Sequence, residues 1–593
     1  DKYKITQYSV SSILGYVENS QIAIPEIQRP FVWKGEEVRS LIDSLYEGYP
    51  IGYLIVWQNS QVRVRGFGKG GTKKILIDGQ QRVTALMAAL LGKEVLDEQY
   101  QSHRIRIAFN PLAQTSDERF AVCDEKHEQD TKWIPDISIF FRRDFSFRQF
   151  EKEYKEVNPE EDFTLLEQSV DTLKEIVKHQ VGVIELSFLL DIDVVSEIFI
   201  RINLQGKPLN QEDFVMSKIS VNEEYGGDYI RNCIDYFCHL LREPSFYQVL
   251  QQNETDFFNS EYGQAVAWCQ NEEKSLYVPS YADVLKVVLI SYFGKARIGD
   301  LVHLLSGRTG EKKGITKKEV SKKLSEESFE KLGAGVKAFV CEKNFKGFQK
   351  ALKKAGYCCS RLLYSQSVLN YCYAMYLLMD RQGISEEEKE SLLARWMTMA
   401  MLTGHYQSGG DGTVLKDYTN AEEEGFASYL AQIEELKLTE EFYDSILPDK
   451  FASTTARTAP FLTYVATQCA RGVHSLYSNM TIEELYKNKT ESYQILPKTY
   501  LAKCGYKTRE IYGQVANLTY ISKETRDIVK RKAPADYKEK LEEAIGSEAI
   551  TASLQENGLS EAIFTAGEKD VTKILANRRK QMALEVKEFY KTL

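Results

Sequence analysis

The sequence lacks the cysteine spacings that mark metal and redox sites. Its ten cysteines run from Cys123 to Cys504 in 593 residues, with no CxxC pair to open a zinc site or a thiol redox motif. No zinc is expected, and the thiols read as reduced, mostly buried groups of a cytoplasmic protein. The adjacent Cys358 and Cys359 are expected on a helix, where neighbours point to different faces, so packing is favoured over chemistry. Proline is scarce at 13 positions, and with 43% hydrophobic and 27% charged residues this excludes a disordered, collagen-like or low-complexity chain. Long apolar runs are absent too: stretches such as 374–379 fall far short of the ~20 residues a span requires. No basic segment followed by an apolar stretch opens the sequence, so neither a membrane nor a secretory route is expected. Nothing points to haem or flavin.

An excess of positive charge is also missing. Lys and Arg number 76 against 85 Asp and Glu, a net charge of −9, so any nucleic-acid contact must be local. The last hundred residues, 494–593, hold 18 basic against 14 acidic side chains. That end is the better place to seek phosphate contacts.

What is present reads as an α+β chain of several domains, since roughly 150 residues per domain predicts about four, or two to three larger ones. Residues 1–224 mix β-rich stretches (52–57, 74–77, 104–109, 180–185) with short helical ones. From 225 to 455 aromatic and leucine positions recur every three or four residues, which predicts a helical domain; 310–323 reads as an exposed lysine-rich connection within it. The Ser/Thr/Ala/Pro segment 453–460 marks a boundary before a C-terminal module, 456–593.

Three pieces of the first domain carry chemistry. Residues 24–33 set polar Gln28 and Arg29 in a proline-bounded segment before a helix over 36–47, with Trp33 available to stack. Residues 74–77 predict a strand, Asp78-Gly79 a turn, and Gln80, Gln81 and Arg82 the opening of a helix reaching Leu91. Such a junction aims free amide N–H groups and the positive end of the helix dipole at one point. Asp78 could there hold Mg2+ or orient a water, a Gln could bond a base or sugar edge, and Arg82 could neutralise a phosphate; an ordinary Asp-Gly turn with a solvated Arg is equally compatible. In 199–209, Arg201 and Asn203 share one side of an extended stretch ahead of Gly206 and a helix over 211–219. The glycine-rich 65–72 lacks the GxxxxGK[ST] spacing of a phosphate loop and reads as a hairpin connection.

Taken together, IPEIQRPFVW, IDGQQR and FIRINLQGKPL resemble the N-terminal module of the GmrSD-type restriction and phage-defence proteins, related to ParB and sulfiredoxin. The resemblance implies a ParB-like nucleotide-binding fold, an NTP with Mg2+ as cofactor, and NTP hydrolysis or sensing coupled to attack on modified DNA. It places nucleotide binding on Gln28, Arg29, Gly79, Gln80, Gln81, Asn203 and Gly206, and catalysis on Asp78, also the metal ligand, with Arg82. Sulfiredoxin chemistry is excluded, because Gln stands where its Cys is needed.

The C-terminal module similarly resembles the His-Asn-His-type nuclease of the same family, with departures at the chemistry. Tyr493 and Gln494 stand where paired His would be, Arg526 and Arg531 where further Asn would be, and Asn517 remains. Neither Tyr nor Gln is a base near neutral pH, and all seven His lie at or before His474. A degenerate nuclease fold that holds DNA through Arg526, Lys530, Arg531 and Lys532 is therefore expected, with Arg578, Arg579 and Lys580 as further phosphate contacts. His405, at a helix end, is expected to cap carbonyls. The leading expectation is an NTP-binding defence protein that engages modified DNA without cutting it. Its alternatives are a non-enzymatic DNA-binding scaffold with an active nuclease partner, and an atypical working nuclease; a homo-oligomer is compatible with each.

Overall fold

The computed structural model describes residues 2–19, 21–23, 33–59, 73–96, 102–190, 194–195, 198, 211–220, 222–272, 275–307 and 318–593. The chain divides into two compact units, Asp1–Glu223 and Glu224–Leu593, the first α+β and the second mainly helical. In the first, strand β1 (Tyr3–Ser9) ends at Ser9, whose hydroxyl accepts from the Ser12 N–H at 3.1 Å and starts helix α1 (Val10–Glu18). There follow β2 (Ile22–Ala23), α2 (Gly35–Tyr46), β3 (Leu54–Asn59), β4 (Lys73–Asp78), α3 (Gln80–Leu91) and β5 (Gln180–Leu186). These five strands form one sheet in the order β1-β5-β3-β4-β2, and two further strand pairs, Val95–Leu96 with Ser102–His103 and Ile107–Phe109 with Phe120–Val122, stand apart from it. Strand β5 is antiparallel to β1 and parallel to β3, and β4 is antiparallel to β3 and parallel to β2. Leu54, Val56, Leu76 and Val183 form one core with the apolar stripes of α1, α2 and α3, which carry Ile13, Leu41 and Leu86. Each such side chain, once buried, contributes roughly 2 kcal/mol.

A charged cluster joins three of these strands. Glu185 of β5, 5% exposed, accepts from Lys4 of β1 at 2.7 Å and Lys74 of β4 at 2.5 Å, and from the Tyr8 hydroxyl. Burial alone would push this carboxyl up, but the hydrogen bonds from Lys4, Lys74 and Tyr8 outweigh it and bring it from 4.5 down to about 2. The folded state thus holds its proton more weakly than the unfolded chain does, so the stabilisation is complete above about pH 4.5 and is lost as pH falls toward 2. Glu185→Gln is expected to flatten the acid limb of the unfolding curve over that window and to lower stability at neutral pH. An unchanged acid limb would remove Glu185 from the account.

In the second unit every described element between Tyr225 and Lys450 is helical. The buried centre holds Tyr373 and Tyr376 of α4 (Gln366–Arg381) and Trp396 of α5 (Glu386–Thr403). Two expectations are corrected. Residues 318–323, expected in an exposed connection, open the helix Lys318–Val340, because its later stripe of Phe329, Leu332 and Val336 is buried and carries the polar first turns with it. Cys358 and Cys359 are not on a helix but in the link between Glu342–Lys354 and the short turn Ser360–Leu362.

His405 is not a carbonyl cap either. Its Nε2 lies 2.8 Å from Asp417 Oδ2 and its Nδ1 2.6 Å from Lys437 Nζ, while Asp417 Oδ1 accepts from the Tyr429 hydroxyl at 2.8 Å. Lysine only donates, so Nδ1 must accept and Nε2 carries the hydrogen toward Asp417. This chain ties α5 to α6 (Gly410–Glu424) and α7 (Phe426–Lys437).

Beyond Ala470 a two-stranded antiparallel sheet pairs β6 (Ser492–Gln494) with β7 (Leu518–Tyr520). Helices α8 (Lys523–Val529), α9 (Pro534–Ile545), α10 (Ser547–Glu556) and α11 (Val571–Tyr590) follow, around a core that includes Leu501, Ile521, Leu541 and Leu575. No helix among the described residues is long and apolar enough to cross a membrane.

Candidate functional site

The strand-to-helix turn of the first unit forms at the predicted residues. Asp78 closes β4, Gly79 adopts φ +93°, and Gln80 opens α3. Glycine is required twice over at 79: the positive φ disfavours a side chain, and a Cβ there would meet Leu54 Cδ2 at 2.2 Å. The first intrahelical bond of α3 runs from the Val83 N–H to the Gly79 carbonyl at 3.0 Å, and an N-terminal turn is where a helix leaves amides without intrahelical acceptors. Gln80 bonds the Leu76 carbonyl at 3.2 Å through its Nε2, and Gln81 is half-buried.

Arg82 is tied down on one side. Its Nη1 donates to the Ile51 carbonyl at 2.7 Å, and its Nη2 to the Tyr53 carbonyl at 2.9 Å and to Asp78 Oδ2 at 3.3 Å. The guanidinium therefore clamps the segment before β3 onto the turn and fixes one oxygen of Asp78. Gly52, with φ +86°, makes room for it, since a Cβ there would lie 2.6 Å from Nη1. Sequence reasoning missed residues 51–53 as part of this site; the one available signal was the glycine between Ile51 and Tyr53 at the entrance to a predicted strand. Tyr49 and Tyr53 are exposed beside it, at 59% and 56%. Trp33, expected to stack on a ligand, is instead half-buried and packs against the core of the unit. Gln28, Arg29, Arg201, Asn203 and Gly206, and with them 65–72, lie outside the described residues.

In the C-terminal region Tyr493, Gln494 and Asn517, expected at nuclease positions, make structural contacts. Tyr493 is buried opposite Thr519, and burial pushes its phenol well above its ordinary value. Asn517 is fully buried; its Oδ1 accepts from the Leu496 N–H at 2.9 Å, and its Nδ2 donates to the Leu496 and Tyr512 carbonyls at 2.9 and 3.0 Å. Gln494 Oε1 caps the Lys498 N–H at 3.1 Å. His474 is exposed, its Nδ1 3.2 Å from Glu556 Oε1.

The basic residues split into two sets. Lys530, Arg531 and Lys532 are exposed in the turn between α8 and α9, with no ion-pair partner among the described residues. Arg526 is half-buried and donates to the Glu491 carbonyl at 3.0 Å. Arg578 is corrected outright: it is 1% exposed and donates to the Leu518 carbonyl at 2.8 Å, the Asn557 carbonyl at 3.3 Å and the Ala516 carbonyl. Arg579 bonds Gln514 Oε1 at 2.6 Å, and Lys580 is exposed on α11.

Comparison of the whole chain with curated proteins gives no match. The family model described as GmrSD restriction endonuclease, N-terminal domain, matches residues 10–220, the span that holds the Asp78-Gly79 turn. Over that span, somewhat more than a third of the chain, the sequence is similar to the N-terminal domain of GmrSD restriction endonucleases.

Proposed function

We propose that the first unit binds a nucleoside triphosphate at the Asp78–Arg82 turn and hydrolyses it, and that the C-terminal region engages DNA, modified DNA included, without cutting it. The observation that carries the reading is the turn itself: a glycine with no room for a side chain, a helix N-terminus, and a carboxylate locked beside it by Arg82. Helix N-termini receive phosphates, and the family match supports a restriction-type role. Gln28, Arg29, Asn203 and Gly206 complete the nucleotide pocket in this reading. A Mg2+ brought by the nucleotide's phosphates would be held by Asp78, since such ions use one or two carboxylates. Bound there, the ion would neutralise phosphate charge. Asp78 then orients the attacking water or the ion, and Arg82 acts chiefly by holding Asp78 in place.

The same reading makes the C-terminal region a ββα relic of a nuclease. Tyr493 is buried and Asn517 is consumed by backbone bonds, so neither offers a base or a metal ligand, while Lys530, Arg531 and Lys532 offer charge to phosphates. Phosphate release from ATP, GTP, CTP and UTP with Mg2+ tests the first half. Asp78→Ala is expected to lower turnover by about a hundredfold or more, and full turnover in that variant would overturn the assignment. A plasmid carrying modified cytosines should remain intact with Mg2+, Mn2+ or Ni2+.

A further inference from the structure

Trp33, the aromatic expected to stack on a ligand, packs against the core of the first unit, yet another ring stands at the Asp78–Arg82 turn. The Tyr53 carbonyl and Asp78 Oδ2 share the same Nη2 of Arg82, at 2.9 and 3.3 Å, so the arginine fixes the Tyr53 backbone beside that carboxylate. The Tyr53 ring lies over the neighbouring strand β5: a Cβ on Gly182 would meet its Cδ1 and Cε1 at 2.6 Å.

Burial does not explain why this ring is seated so closely. Gly182 lies inside β5 and pairs with Gln7 of β1; a glycine within a strand weakens it and marks a close approach, and here the approaching group is the Tyr53 ring. A ring placed to hide apolar area would be covered, whereas Tyr53 stays 56% exposed, and among the described residues no other ring or cation stacks on it. Gly182 thus holds one side of the ring and Arg82 holds its backbone, while the rest of its surface is open to solvent. A pinned, bare aromatic surface is what a base stacks on, and it serves any base because each has a π-face. The ribose separates a nucleotide's base from its phosphates, so such a platform has to stand beside the phosphate site and not in it. Tyr53 meets that condition, because its carbonyl faces Arg82 and its ring reaches over β5.

We infer that Tyr53 is the platform on which the base of the bound nucleoside triphosphate stacks, seated on Gly182 and tied to the Asp78 turn through Arg82. The inference rests on the reading that this turn binds a nucleoside triphosphate, and it names the residue that holds the other end of the ligand.

The test uses the full chain with Mg2+ and isothermal titration calorimetry against ATP, GTP, CTP, UTP and inorganic tripolyphosphate, the last carrying the phosphates without a base. Tyr53→Leu, checked for an unchanged melting temperature, is expected to weaken nucleotide binding about tenfold and to leave tripolyphosphate binding as in the wild type. Tyr53→Phe keeps the ring, and nucleotide affinity should return with it. Gly182→Ala, which puts a methyl where the ring sits, should weaken the nucleotides with Tyr53 still present. The loss should fall alike on each nucleotide that the wild type binds; a loss confined to one of several would mark a hydrogen-bonding contact and overturn stacking. Nucleotide binding kept by Tyr53→Leu but lost in Asp78→Ala would overturn the platform and leave the site standing. An equal loss of tripolyphosphate in Tyr53→Leu would make Tyr53 a support of the turn, which also overturns the platform. Wild-type protein that binds neither the nucleotides nor tripolyphosphate would overturn site and platform together.

Discussion

Arg578→Leu is expected to destabilise the second unit by about 3–5 kcal/mol, the cost of breaking a buried charge network from one side. The guanidinium serves three backbone carbonyls, those of Ala516, Leu518 and Asn557. Leucine fills most of the volume but leaves all three without a donor, at roughly 1–3 kcal/mol each before relaxation. The loss also reaches β7, because Ala516 and Leu518 flank the Asn517 that holds Leu496. A pH signature accompanies it. Burial raises the Glu585 carboxyl from 4.5 to about 7, against the pull of Arg471 and Arg578, and its Oε2 is buried without a hydrogen-bond partner. An acid raised on folding contributes stability below its unfolded value that is lost as pH rises toward the folded one. Without Arg578 the carboxyl rises further, so the deficit of the leucine variant should be larger at pH 8 than at pH 5.5. Urea unfolding at the two values measures both terms. A variant within 1 kcal/mol of wild type at each pH would show that these carbonyls find other donors.

Why that arginine was misread as a surface cation is instructive. Arg578-Arg579-Lys580 looks like a solvated basic run, the usual fate of such a cluster, and two of its three members fit a surface or partly exposed position. The helix period tells them apart: Val571, Leu575, Arg578, Met582, Val586 and Phe589 are spaced by four, three, four, four and three residues, and all are buried. Arg578 stands in the apolar stripe, where a charged residue marks buried acceptors. Asn517 carried no such register, since its partners Leu496 and Tyr512 come from a loop and from the end of the short helix Arg509–Tyr512, whose approach depends on tertiary packing. His405 was legible as a residue at a helix end but not as a bonded one, because Asp417 and Lys437 arrive from two later helices. By contrast the Asp78-Gly79 turn was fully local. A short apolar strand, a turn dipeptide and an apolar helical period sit next to one another, so the helix runs from Gln80 to Leu91 as expected and the strand exceeds the expected 74–77 by one residue at each end.

Arg82→Ala is expected to cost the first unit about 2–4 kcal/mol and to abolish nucleotide turnover with it, for one shared reason. The Ile51 and Tyr53 carbonyls lose their donor and Asp78 loses its partner; two orphaned carbonyls and a broken ion pair account for a loss of that order. If Arg82 acts on chemistry by holding Asp78, Arg82→Lys should behave in a particular way. A lysine has the charge but not the planar fork, so it can restore the pairing with Asp78 while leaving one of the carbonyls unserved. Turnover should then recover more fully than stability. If instead Arg82 touched the phosphate directly through its free edge, the lysine variant would keep a weakened turnover whatever its melting temperature, and Asp78→Asn would retain the arginine's contribution. Thermal unfolding and phosphate release measured on the same preparations of Arg82→Ala, Arg82→Lys and Asp78→Asn separate the two. A lysine variant that regains stability but not turnover would reject the holding role, because the clamp would then be intact and the chemistry still lost.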